Sequence, residues 1–309
     1  MRNPMIVVEG LVKRFGAVEA LAGVDFTVEP GSILAVLGHN GAGKTTLVDI
    51  LSTRARPSAG HASVGGFDVV RAAKQVRRRI GVTGQFAALD DAVSPRENLR
   101  VLARLLGADR PQARRRADEL LDVFELGPWA DVPARVCSGG LRRRLDLAAS
   151  LVGTPEVLFL DEPSTGLDPM SRSGLWEIIT DLAGAGTTVV LTTQYLEEAD
   201  RLADEVIVLG LGRIILSGTP AKLKSALGRQ IVALAVGNAA DAEVLLGRLA
   251  EFGWPVHRTG TAAVAVAVVA PAEIVDLVRI VDAACVPLCG FTVTEPSLDD
   301  VYRSVVTAS

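Results

Sequence analysis

Cysteine, histidine and aromatic residues are scarce here: three cysteines, three histidines and 4% aromatics in 309 residues. Cys137, Cys285 and Cys289 form an odd, sparse set, which excludes a disulfide framework and predicts buried thiols. His39, His61 and His257 are scattered and support no metal cluster. No apolar run approaches the ~20 residues of a membrane span. The nearest candidate, 262–270, is short and closed by Pro271 and Glu273. Glu9, Lys13 and Arg14 interrupt any apolar segment of a signal peptide. Net charge is −4 and pI near 5.5, so no general electrostatic attraction to nucleic acid exists. These absences predict a soluble cytoplasmic chain, against which a mean hydropathy of +0.34 stands out.

What is present is a regular alternation. In the first ~220 residues, uninterrupted apolar runs such as 33–37, 157–160 and 188–191 alternate with helical patterns. Such runs suit parallel strands buried on both faces. Residues 16–27 are shorter and turn-rich, the pattern of an antiparallel edge. From about 95 to 152 the chain reads as a helical insertion. Ser94, Pro95 and Glu97 open its first helix, the second runs from about Pro111 to Phe124, and Leu141, Leu145, Ala148 and Val152 share a face of the third. After Gly218-Thr219-Pro220 the composition shifts, and a βαββαβ order predicts a small ferredoxin-like domain. Arginine triplets at 77–79, 114–116 and 142–144 read as solvated helix faces, since no aromatics are interleaved to stack bases.

Gly38-His39-Asn40-Gly41-Ala42-Gly43-Lys44-Thr45 follows a buried run and precedes a helical one, the context that G-x-x-x-x-G-K-[ST] requires. Its glycines turn backbone N–H groups onto phosphate oxygens, and the helix adds its N-terminal dipole. Lys44 is placed for the β- and γ-phosphates, and Thr45 for Mg²⁺. Val157-Leu158-Phe159-Leu160 ends in Asp161 and Glu162. Asp161 suits Mg²⁺, leaving Glu162 to activate a water. Cys137-Ser138-Gly139-Gly140-Leu141 opens a helix as a second anion site. One cradle and one spare phosphate-binding helix end on a chain suggest two copies meeting head to tail.

These motifs, in this order, resemble the nucleotide-binding subunit of an ABC transporter over roughly residues 5–220. The resemblance implies an α/β fold: a P-loop NTPase (ABC ATPase) core with an antiparallel β subdomain and a helical subdomain. A small C-terminal α/β (ferredoxin-like) domain follows. The implied domains are 1–220, with the helical subdomain at about 95–152, and 221–309 as a regulatory or accessory domain. Walker A covers Gly38–Thr46, so Gly38, Asn40, Gly41, Ala42, Gly43, Lys44, Thr45 and Thr46 hold ATP. Phe15 stacks on adenine, and the signature residues Ser138, Gly139 and Gly140 and the D-loop Asp168 complete the nucleotide contacts. Gln85 joins Thr45 and Asp161 on Mg²⁺. Glu162, Lys44 and Gln194 carry hydrolysis. Residues 86–98 are the expected docking surface for a membrane subunit.

Two departures stand out. The signature has Cys137 and Leu141 where the family usually has leucine and glutamine. Gln194 occupies the switch-histidine position; its amide can hydrogen-bond phosphate but carries no proton. Both, with 139–146 and 295–302, are similar to the daunorubicin/doxorubicin-resistance branch of drug exporters. That branch implies an ATP-hydrolysing subunit at the cytoplasmic face of the membrane. It would work as a head-to-tail homodimer with a separate transmembrane permease and no nucleic acid. A soluble ABC-type ATPase, a nucleotide sensor without turnover, and a lipid or oligosaccharide exporter subunit are the alternatives. Tandem nucleotide domains, zinc modules, long coiled coils and marked basicity, the usual marks of the soluble class, do not appear.

Overall fold

The computed structural model describes residues 3–83, 89–226, 230–294 and 296–306. The chain divides into two compact units, Met1–Thr219 and Pro220–Ser309.

In the first unit, β1 (Ile6–Phe15) and β2 (Val18–Val28) form a hairpin, followed by β3 (Ile33–Leu37) and α1 (Lys44–Leu51). Next come β4 (Ala59–Val64), β5 (Phe67–Asp68), α2 (Ala73–Arg77) and β6 (Ile80–Thr83). The helical segment holds α3 (Pro95–Leu105), α4 (Arg110–Val123) and α5 (Gly139–Ser150). Then follow β7 (Val157–Asp161), α6 (Pro169–Gly184), β8 (Thr188–Thr193), α7 (Leu196–Leu202), β9 (Glu205–Gly210) and β10 (Arg213–Gly218).

Two sheets result. The antiparallel one has the order β2-β1-β4-β5, and the larger one β10-β9-β3-β8-β7-β6. Within the latter, β9, β3, β8, β7 and β6 run parallel and β10 pairs antiparallel at the edge. Every residue of β3 and β8 is buried, as are Val157–Leu160 of β7. Two-sided burial of this kind accounts for the apolar runs. β8 lies between β3 and β7, so the loops leaving the carboxyl ends of all three emerge side by side. Open α/β sheets bind ligands at that end.

The helix starts follow the sequence signals. Ser94 accepts from the Glu97 N–H at the start of α3, and Asp109 and Gln112 form a reciprocal capping box on α4. α5 stops at Ser150, so Val152 is buried beyond the helix rather than on its face, and Leu147 joins the core instead.

The arginine triplets depart from expectation. In α4 and α5 three consecutive residues sweep ~200° around the axis, so not all of them face solvent. At least one arginine of each triplet is held, and Arg142 and Arg144 also pair with Asp91 and Glu125. Arg79 pairs with Glu156 and lies 4.7 Å from the Phe67 ring centroid. Arg116 donates to the Leu151 carbonyl at 2.6 Å. Arg143 is committed to three carbonyls, described below. Arg78, Arg114 and Arg115 are exposed.

The second unit holds α8 (Pro220–Ala226), β11 (Gln230–Val236), α9 (Ala239–Glu251), β12 (Val256–Gly260) and β13 (Ala263–Val268). It ends with α10 (Pro271–Ala283), β14 (Leu288–Thr294) and α11 (Leu298–Val306). The order β12-β13-β11-β14, antiparallel throughout, is the ferredoxin-like arrangement for a βαββαβ chain. Val232, Leu234, Val264 and Val266 pack against Leu245 and Leu249 of α9 and Leu277 of α10.

Cys285 and Cys289, expected to be buried, are exposed. Cys285 occupies the left-handed turn after α10 (φ 52°), and Cys289 lies on the edge strand β14, which pairs on one side only. Cys137 is half-buried. Among the described residues, no helix is long and apolar enough to cross a membrane.

Candidate functional site

The loop between β3 and α1 wraps closely because only glycine fits at two of its turns. Gly43 has φ 107°, and a Cβ there would stand 2.5 Å from the Ala20 carbonyl oxygen. At Gly38 a Cβ would meet the Leu209 carbonyl oxygen at 2.7 Å. α1 begins at Lys44 without a side-chain cap, so its first N–H groups remain available to an anion.

Lys44 is 5% exposed, and its ammonium donates to the carbonyls of Gly38 (2.7 Å) and His39 (3.3 Å). The same ammonium lies 3.7 Å from Oε1 of Glu162. Thr45 Oγ1 donates to Oδ2 of Asp161 at 3.2 Å. A hydroxyl and a carboxylate brought together this way are the hard oxygen donors that suit Mg²⁺. The Thr192 hydroxyl, fully buried on β8, donates to the other Asp161 oxygen. It also accepts from the Glu162 N–H at 3.1 Å. Glu162 itself is left-handed (φ 47°), and its Oε2 accepts from Thr165 Oγ1 at 3.2 Å.

Two adjoining cavities result. One of about 300 Å³ is lined by Phe15, Asn40, Gly41, Lys44, Thr46 and Glu162, among others. Phe15 is 55% exposed there, with the Lys13 ammonium 4.7 Å from its ring centroid. The second, about 470 Å³, is lined by Asn40, Thr45, Arg143, Asp161, Glu162 and Thr165. The polar, glycine-walled first cavity with one exposed aromatic fits a nucleoside polyphosphate.

Other predicted residues stand elsewhere. Ala42 is buried behind the loop. Ser138 caps α5, accepting from the Leu141 N–H at 3.4 Å, with Gly139 and Gly140 in the first turn. None of the three lines either cavity. Gly140 sits so close to α6 that a Cβ would lie 2.8 Å from Ser171 Oγ. Ser171 in turn donates to Asp168 at 2.6 Å, and Asp168 caps α6 through the N–H groups of Met170 and Ser171. The Ser171 hydroxyl holds the Asp168 carboxyl below its ordinary range. The signature and D-loop residues are thus adjacent to each other, apart from the cradle. Gln194 is exposed just past the end of β8. Gln85 and 86–88 lie outside the described residues. Within the rest of the expected docking segment, Asn98 is buried, tying the loop through the Asp90 and Ser94 carbonyls.

Sequence reasoning missed Arg143 and Thr192. Arg143 was hidden inside a basic triplet, and only its bonds to three carbonyls distinguish it. Burial pulls its guanidinium below the usual range, opposed by the carboxylates of Asp146, Asp161, Glu198 and Glu162. Burial likewise raises the Cys137 thiol.

Residues 21–165 match the family described as ABC transporter. The chain is 44% identical over 304 residues to the daunorubicin/doxorubicin resistance ATP-binding protein DrrA of Streptomyces peucetius, covering 97% of this chain and 92% of that protein. It is 55% identical over 230 residues to the daunorubicin resistance ATP-binding protein DrrA3 of Streptomyces coeruleorubidus, covering 74% and 72%. Among solved structures, cbiO1 from Clostridium perfringens, part of the ABC transporter complex cbiONQ, superposes with a TM-score of 0.68 at 27% identity. That match covers 82% of this chain and 98% of that one.

Proposed function

The chain belongs to the ABC transporter family as an ATP-binding, ATP-hydrolysing subunit, and we propose that it powers export of drugs or other lipophilic compounds through a separate membrane subunit. The observation that carries this reading is the meeting of Lys44 and Thr45, from the loop after β3, with Asp161 and Glu162, from the end of β7. The names of the DrrA relatives supply the cargo class.

In this reading Phe15 stacks on the base, while the N–H groups of 38–46 and the Lys44 ammonium hold the phosphates. Thr45 and Asp161, joined by Gln85 on the family resemblance, would hold Mg²⁺, which would neutralise phosphate charge. Glu162 accepts a proton from the water whose oxygen bonds to the γ-phosphorus as the bridging P–O bond to ADP breaks. Gln194 hydrogen-bonds the γ-phosphate through its amide and transfers no proton. Ser138–Gly140 do not border their own chain's cradle, which supports their use on the nucleotide of a second copy in a head-to-tail homodimer. ATP binding then favours the closed pair and hydrolysis reopens it.

Residues 1–220 form the nucleotide-binding domain, with 95–152 as its helical subdomain and 221–309 as an accessory domain. The assembly sits at the cytoplasmic face of the membrane, held there by the permease through 86–98. The test is to purify the chain with the membrane protein that binds it and measure ATP turnover with and without an anthracycline. Drug-stimulated turnover is the expected result. Failure to capture any membrane protein would favour an ATPase uncoupled from transport.

A further inference from the structure

Arg143 lies on α5, and its guanidinium reaches across to the loop that follows β7. Nε donates to the Pro163 carbonyl at 2.7 Å, and Nη2 donates to the carbonyls of Asp161 and Glu162, each at 2.9 Å. Three consecutive carbonyls can converge on one cation only if the chain curls around it. The curl here is the left-handed turn at Glu162, φ 47°. A non-glycine residue in that region is strained and persists only where its surroundings hold it. Arg143 holds the carbonyl side of the turn, and Thr192 holds its N–H side through hydroxyl and carbonyl oxygen. The turn sets the Glu162 carboxylate 3.7 Å from the Lys44 ammonium and within reach of Thr165.

We propose that Arg143 is a positioning residue for ATP hydrolysis, clamping the backbone turn that aims the Glu162 carboxylate. The assignment rests on the general-base role of Glu162 given above. Arg143 acts through the backbone, because the donors that reach this loop are spent on carbonyls. A planar fork suits three carbonyls in a way that an ammonium does not. The clamp also ties the Glu162 turn to α5, the helix that opens with Ser138–Gly140, so the carboxylate's aim depends on where that helix sits.

The experiment compares the full chain with Arg143→Met, Arg143→Lys and Glu162→Gln, measuring kcat, KM for ATP, affinity for a fluorescent ATP analogue, and Tm. Misaiming a catalytic group by about 1 Å costs ~100-fold. Arg143→Met is therefore expected to lose about 10- to 100-fold in kcat, with analogue affinity within about threefold of wild type. Arg143→Lys keeps the charge and some donors and should fall between the two. A kcat for Arg143→Met within about twofold of wild type overturns the proposal, as does a loss of analogue affinity in step with kcat. If the methionine variant does not fold, the lysine variant decides by the same criteria. Wild-type turnover in Glu162→Gln overturns the general-base reading itself. An inactive Glu162→Gln beside a fully active Arg143→Met overturns only the role of Arg143.

Discussion

The Lys44 ammonium sits 3.7 Å from the Glu162 carboxylate while donating to the Gly38 carbonyl. The cation of one loop and the carboxylate of another therefore share a boundary, and a phosphate group bound there would compete for the same ammonium. Buried cations keep such partners because an unpaired one is costly. Lys44→Ala should lose nucleotide affinity by more than about tenfold, a typical charge-assisted contribution. Titration with a fluorescent ATP analogue measures it, and unchanged affinity would remove the loop from phosphate binding.

Glu162→Gln keeps the shape of the side chain and its bond from Thr165 but cannot accept a proton from water. Turnover should fall by about 100- to 10,000-fold, the usual weight of a general base. Analogue affinity should be retained. A phosphate-release assay at saturating ATP separates the two effects.

Gln194 is exposed just past the end of β8. Gln194→His restores a side chain able to carry a proton, so equal or faster turnover is expected. Collapse of activity in steady-state assays would show instead that the amide has a role of its own.

The indole N–H of Trp176 on α6 donates to Glu198 Oε1 at 2.9 Å, and Glu198, on α7, is fully buried. Its Oε2 has no hydrogen-bond partner among the described residues. Trp176→Phe would strip the remaining bond from a buried carboxylate, costing about 1–3 kcal/mol. Urea unfolding of both proteins tests this, and equal midpoints would contradict it.

Asp146 on α5 has its carboxyl raised, chiefly by burial and against the pull of Arg143 and Arg142. A raised folded-state pKa means that the folded chain binds more protons than the unfolded one between the two values. The group's favourable contribution is full below its unfolded pKa and is lost as pH rises through the folded one. Asp146→Asn removes this dependence. The unfolding free energy of the variant relative to wild type should therefore rise as pH increases above the ordinary carboxylate range. A pH-independent difference would refute the assignment.

Much of this was legible in residue order. Gly38–Thr45 and Val157–Glu162 each carry local signals, a turn that only glycine satisfies and an apolar run that ends in acid. Local signals survive in sequence because their physics acts between neighbours. The same holds for Ser94 and Ser138 as caps, and for the βαββαβ order of the second unit. Cys285 was misread because it sits in the exposed left-handed turn after α10, and Cys289 because exposure at an edge strand depends on which strand pairs where. Residue type carries no record of that pairing.

By itself, then, the sequence determined the phosphate-binding loop, the acid pair and the parallel sheet. Each rests on chain-neighbour conformation or on the period of apolar residues. Only the tertiary structure decided that Thr192 bridges Asp161 and Glu162, and that one arginine of a basic run donates to the carbonyls of the turn at Glu162. Those contacts join strands and helices distant in sequence, and the three carbonyl bonds that separate Arg143 from Arg142 and Arg144 exist only once the chain has packed.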